Sequence, residues 1–175
     1  MTAARVRKVL ALLCTLLIIG AVIMASFDDR TSKPMLKNGD VLGQDTGESY
    51  SQYQQRADHS LVGASGTSWA MITFAEPLSA ERAGALVEQL HLKRVGGAVF
   101  ADEKPQALPE PVAPETRIEV FERWTPPAKN IVGVIAYDDA ELFRGLADNP
   151  QLGAIEVLPQ GAAWGRFGVR PVAVD

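Results

Sequence analysis

Apolar positions fall into three regimes along the chain. Residues 9–27, VLALLCTLLIIGAVIMASF, hold 16 apolar side chains in 19 positions and no charge. At about 1.5 Å per helical residue they cover about 28 Å, close to the thickness of a bilayer core. From Asp28 to Gly66 only 10 of 39 positions are apolar, and Gly, Ser, Asp and Gln abound, too few buried groups to offset the entropy of ordering the chain. Residues 67–175 return to 52 apolar positions of 109, enough for a core. The pattern predicts a short N-terminus (1–8), a transmembrane helix (9–27), a flexible linker (28–66) and an α+β domain (67–175).

Within the linker, SYSQYQQRADH predicts one or two helical turns, and the Asn-Gly pair in Leu36–Asp40 a turn. In the domain, Ser68–Ala75 is almost wholly apolar and rich in β-branched and aromatic residues, a strand covered on both faces. Ser79 is placed to cap a helix, with Glu81 in its first turn and Ala83, Leu86, Val87 and Leu90 as its apolar stripe. Arg94–Ala101 reads as a second strand whose paired glycines predict a bulge or close packing. Four prolines between Pro105 and Pro114 forbid regular structure there. Arg117–Trp124 resumes as an edge strand, and Ile131–Tyr137 as a strongly buried one. Asp138 and Glu141 then spell a capping box for a short helix stopped by Asn149-Pro150, and Leu152–Leu158 returns as a strand. Trp164–Val174 adds an extended tail.

Without the proline-rich insertion the order is β-α-β-β-α-β, which predicts a ferredoxin-like sandwich with two helices on one face of an antiparallel sheet. Ser68–Ala75 and Ile131–Tyr137 are nevertheless apolar on both faces, so something must cover the second face. The proline-rich excursion, the tail with Trp164 and Phe167, or another protein are the candidates, and an uncovered patch would mark an interaction surface. Phe121, Trp124, Trp164 and Phe167 are the candidate partner contacts.

Charge turns the pattern into a topology. The formal net charge of −4 divides into +3 from Arg5, Arg7 and Lys8 and −7 from the 14 basic and 21 acidic residues beyond the span. The basic flank keeps the N-terminus in the cytoplasm and places the domain outside, anchored in the cell membrane by a single pass. A cleavable signal peptide competes, but Ile23-Met24-Ala25 and Met24-Ala25-Ser26 are poor cleavage sites and the apolar run is long. Retention is therefore expected. Cys14 lacks a lipidation context and, as the only cysteine, offers no internal disulfide. The acidic outer part disfavours nucleic acid.

No motif announces a chemistry. Asp45-Thr46-Gly47 matches the aspartic-protease triplet but sits in polar surroundings without a second copy. There is no phosphate-binding glycine loop and no Gly-x-Ser-x-Gly elbow. His59 and His91, the only histidines, are far apart, which argues against a histidine metal site. Helix capping accounts for Asp138, Asp139 and Glu141. The reading is non-enzymatic, with no catalytic, cofactor or metal residues expected.

Two resemblances add expectations. The segments MITFAEPLSAERAGALVEQLHLKRV and AELFRGLADNPQLGAIEVLP resemble the subtilisin-propeptide and protease-inhibitor family in their rhythm of strand, helix, Asn-Pro stop and returning strand. That resemblance implies the ferredoxin-like fold and, as an alternative function, an extracytoplasmic peptide-binding or inhibitor-like domain. The short basic N-terminus, the Gly47-Glu48-Ser49 to Tyr53 linker and Ser68-Trp69-Ala70 opening a strand that ends in Phe74-Ala75 resemble an actinobacterial family of single-span proteins. In size and topology the chain also looks like accessory subunits of the cytochrome bcc–aa3 respiratory supercomplex. The function these imply is a non-catalytic accessory or assembly subunit whose partners are integral-membrane subunits and the lipid bilayer.

Overall fold

The computed structural model describes residues 3–26 and 39–174, and the chain divides between Leu36 and Lys37 into two compact units. The first holds α1 (Ala3–Ser26), whose window Arg7–Met24 is long and apolar enough to cross a membrane and has no buried residue. Leu10, Leu13, Leu17 and Val22 all face outward, so the apolar surface of the helix runs all round. The helix starts upstream of Val9 because Arg5, Arg7 and Lys8 are themselves good helix formers.

The second unit runs β1 (Val41–Leu42), α2 (Tyr50–Gly63), β2 (Thr67–Leu78), α3 (Ala80–Gln89), β3 (Arg94–Phe100), β4 (Gln106–Ala107), α4 (Arg117–Trp124), β5 (Ile131–Asp139), α5 (Ala140–Leu146), β6 (Leu152–Val157) and β7 (Gly168–Val169). It is a mixed α/β unit. Five strands form one antiparallel sheet in the order β4-β3-β5-β2-β6. The predicted apolar strands lie inside it: β2 and β5 pair over Thr67–Thr73 and Gly133–Asp139. The glycine pair of β3 does mark an irregularity, since the register with β5 shifts between Val95 and Gly97.

Two cores flank the sheet. On one face Ile72, Phe74, Val134 and Ile155 meet Leu86 and Val87 of α3, Phe121 of α4 and Phe143 of α5. On the other, Trp69, Met71, Ile135 and Ala154 meet Leu42, Tyr53 and Ala57 from the N-terminal side and Phe167 and Val172 of the tail. The second face is thus covered by the chain itself, by the tail as one candidate had it and by α2, which the sequence reading did not offer.

Three expectations need correction. From Asp40 onward the segment expected as a flexible linker belongs to the folded unit; residues 28–38, with most of the predicted Leu36–Asp40 turn, lie outside the described residues. Tyr53, Ala57 and Leu61 make a buried stripe at spacing four, and Ser49 and Gln52 form a reciprocal capping box that starts the helix. Arg117–Trp124 is a helix, not an edge strand, for a similar reason. Thr116 and Glu119 cap each other, while Val120 and Phe121 turn inward together, which a strand's alternation forbids. Finally, Asp138 caps nothing: α5 begins after Asp139, and neither aspartate makes a side-chain cap.

Ser79, by contrast, does cap its helix, accepting from Arg82 N–H at 3.3 Å. At that helix's far end His91 adopts φ 52°, taking the left-handed position that follows many helix C-termini.

Candidate partner cleft

The N-terminal arm, residues 40–63, is held over the second face by a clasp and a lock. The clasp is the parallel pair β1–β7: Gly168 N–H donates to Asp40 O and Arg170 N–H to Leu42 O, both at 2.8 Å. Gly43 follows with φ +97°, and a Cβ there would stand 2.2 Å from Arg170 O, so only glycine admits the tail so closely. Arg170 pairs with Asp45, and Ala173 N–H donates to Gln44 Oε1 at 3.0 Å. The Asp45-Thr46-Gly47 triplet is part of this clasp: Asp45 N–H donates to Glu48 Oε2 and Glu48 N–H to Asp45 O. It is a tied turn.

The lock centres on Arg56 of α2. Its guanidinium donates to both oxygens of Glu48 at 2.9 Å, to Gly43 O at 2.8 Å and to Glu156 of β6. Glu156 is buried and also accepts from Gly43 N–H at 2.6 Å. Burial pushes the Glu156 carboxyl up, against the pull of Gly43 N–H and Arg56. The hydrogen bond from Arg56 holds the more exposed Glu48 below its usual range. Nearby, the buried Tyr53 hydroxyl meets Thr73 Oγ1 at 3.0 Å, and burial raises its pKa. The same helix protects the sheet's β6 edge: Gln54 Nε2 donates to Gly153 O, and Val157 N–H donates to Ser60 Oγ, both at 2.9 Å.

The cover is incomplete toward β3 and β4. There a cleft of about 470 Å³ opens, with Gly97 and Ile135 as floor, Lys104–Ala107 as one wall and Trp164, Gly165 and Phe167–Val169 as the other. Trp164 lies down on the sheet because β3 offers glycine beneath it: a Cβ on Gly96 would come within 2.7 Å of the indole. It stacks on Trp69 with ring centroids 4.8 Å apart, and Trp69 in turn contacts Tyr137 at 5.1 Å and Phe167 at 6.0 Å. Arg94 caps the cluster, its guanidinium 5.3 Å from the Trp69 ring. Such a cluster is rigid on the buried side and leaves one aromatic face at the surface.

The four candidate partner contacts separate. Trp164, 36% exposed, and Phe167, 7% exposed, both line this cleft. Phe121 is fully buried in the helix-side core and meets no partner there. Trp124 stands at the end of α4, 43% exposed and away from the cleft. Gly97, Lys104 and Ile135 were missed, because only the fold brings them to the tail; the proline-rich segment gave no sign that it would form a wall.

A second cleft, about 690 Å³, gathers His91, Lys93, Asp138, Asp139, Glu141 and Arg144. Lys93, Asp138, Asp139 and Arg144 are engaged in structure. Asp138 is buried and accepts from Lys93 N–H at 2.7 Å and Asp139 N–H at 2.8 Å, fastening the turn before β3 to the end of β5. Lys93 Nζ pairs with Asp139 and lies 3.3 Å from Asp138, and the bond to Asp139 raises its pKa. Arg144 donates to Ala64 O at 2.9 Å. Among the described residues no three His, Cys, Asp or Glu side chains are grouped to hold a metal ion.

Comparison of the chain with family models, curated proteins and solved structures gave no match.

Proposed function

We propose that the protein is a non-catalytic, membrane-anchored accessory or assembly subunit of a larger cell-envelope complex, retained by α1 and engaging integral-membrane partners through α1 and the partner cleft. The observation that carries this reading is Trp164, 36% exposed beside a cleft in the cover of an apolar sheet face. The self-made cover removes the whole sheet face as a docking surface and confines the partner argument to that cleft. The sequence resemblance makes the actinobacterial bcc–aa3 respiratory supercomplex its most specific form. The basic flank of α1 supports a cytoplasmic N-terminus and an extracytoplasmic second unit.

The strand order β6-β2-β5-β3, all antiparallel, with α3 and α5 packed on one face, is consistent with a ferredoxin-like core, and β4 extends its edge. The alternative function, an extracytoplasmic peptide-binding or inhibitor-like domain, uses the same cleft and differs in its partner. Purification of the full chain in mild detergent discriminates. Stoichiometric integral-membrane partners are expected, and a free monomer overturns the accessory-subunit reading.

A further inference from the structure

Strand β7 has two edges, and only one is used. In the parallel pair with β1, the N–H groups of Gly168 and Arg170 point to β1. The intervening residue, Val169, therefore turns its N–H and C=O the other way. Among the described residues neither group has a hydrogen-bond partner, and Val169 lines the cleft. An unpaired strand edge beside an apolar floor is the arrangement that accepts an added strand.

The surroundings restrict what that strand is. Gly165 lines the same wall with open space where a Cβ would stand, which leaves room there for a second backbone. The half-exposed Trp164 and Val169 offer apolar contact on one side only, above a floor of Ile135 that is itself buried, which suits side chains pointing inward at every second position. Lys104 is the only charged residue lining the cleft and has no ion pair among the described residues. It lacks an anion. The outer edge of the main sheet does not compete, since Pro105 and Pro109 flank β4 on both sides.

We infer that the cleft binds an extended peptide segment of the partner, apolar at alternate positions and bearing a carboxylate, by strand addition to the free edge of β7 with the carboxylate on Lys104. This rests on the partner-cleft reading above and names what the cleft grips.

The test pans the full chain in lipid nanodiscs against a heptapeptide display library with free C-termini, with empty nanodiscs removing lipid binders. Enriched sequences should alternate apolar residues and carry Asp, Glu or a terminal carboxylate near one end. A synthetic representative should perturb the Val169 amide and the Trp164 indole signals in an NMR titration. Lys104→Glu should weaken it about tenfold. Val169→Pro, which deletes the free N–H but neither bond to β1, should weaken it by a similar factor of about ten. Trp164→Ala gives an independent loss that does not touch the backbone. Absence of enrichment, or binding indifferent to both Lys104→Glu and Val169→Pro, overturns the proposal. If integral-membrane partners still co-purify with both of those variants, the accessory reading stands and strand addition falls; if peptides bind while the full chain purifies as a monomer, the reverse holds.

Discussion

Arg56 of α2 and Glu156 of β6, 100 residues apart in sequence, form an ion pair whose acid is buried and whose base is shared with Glu48 and Gly43 O. The pair joins the N-terminal arm to the sheet edge. A buried pair contributes little net stability compared with an apolar substitute, but removing one member strands the other. Arg56→Met should therefore cost about 2–3 kcal/mol, below the usual figure for a broken buried pair because the guanidinium is partly exposed. Glu156→Gln keeps an oxygen for Gly43 N–H, leaves Arg56 its Glu48 partner, and should cost less than about 1 kcal/mol. Urea unfolding of residues 37–175 measures both; equal losses would refute the asymmetry.

The same lock sets a pH dependence with two opposing signs. Glu156 has a folded pKa above its ordinary value of 4.5, so its contribution is fully present below that value and is lost as pH rises through the raised one. Glu48 is held below 4.5, so its contribution is present above 4.5 and is lost as pH falls through the lowered value. Glu156→Gln removes the first alone. Stability of the variant relative to the wild type should rise with pH from 4.5 upward and then level off, while Glu48→Gln should lose ground as pH rises toward 4.5 from below and hold level above it. A pH series of denaturation midpoints decides it, and a flat difference for Glu156→Gln would count against the burial.

The arm is part of the core, so the domain boundary matters. A fragment beginning at Thr67 would strip Leu42, Tyr53 and Ala57 from the second core, leaving part of an apolar face bare, the kind of surface that drives association. Residues 37–175 should be monomeric in size-exclusion chromatography, and residues 67–175 should self-associate and bind an apolar dye. Tyr53→Ala within the longer piece should cost about 3–5 kcal/mol, since its ring is fully buried and its hydroxyl partners Thr73.

How far the sequence could be read is visible in these same residues. The central strands β2 and β5 were legible because burial on both faces leaves a run of apolar residues that little else produces. The cap Ser79 was legible because its helix has an unbroken stripe. The arm was not, because average polarity outweighed a stripe of only three residues; yet Ser49 and Gln52 spell a capping box and Tyr53, Ala57 and Leu61 keep helical spacing, a local signal stronger than the composition. For α4 the alternation Arg117, Ile118, Glu119, Val120 imitated a strand, while Thr116 and Glu119 announced a helix. Asp138 obeyed the capping pattern in sequence but met Lys93, 45 residues earlier. The cleft could not be read at all beyond Trp164 and Phe167, since its floor and its other wall come from three strands that only pairing brings together.

Two glycines in the sheet separate a tolerant contact from an intolerant one. A Cβ on Gly133 of β5 would lie 2.5 Å from Ile72 O and 3.1 Å from Thr73 Cα, both backbone atoms of the neighbouring strand. They cannot move without breaking the ladder, so Gly133→Ala should cost about 3 kcal/mol or more and leave little folded protein. A Cβ on Gly96 of β3 meets side-chain atoms instead, Trp164 at 2.7 and 2.9 Å and Trp69 at 3.0 Å. Trp164 is at the surface and can swing away; Trp69 is buried and cannot. Gly96→Ala should therefore keep the fold at a cost of about 1–2 kcal/mol, release the Trp164 indole to water and reshape the cleft wall. Tryptophan fluorescence should shift to the red, and the shift should vanish when Trp164 is first replaced by phenylalanine. A Gly96→Ala protein with an unshifted spectrum would mean that the indole does not depend on the glycine beneath it.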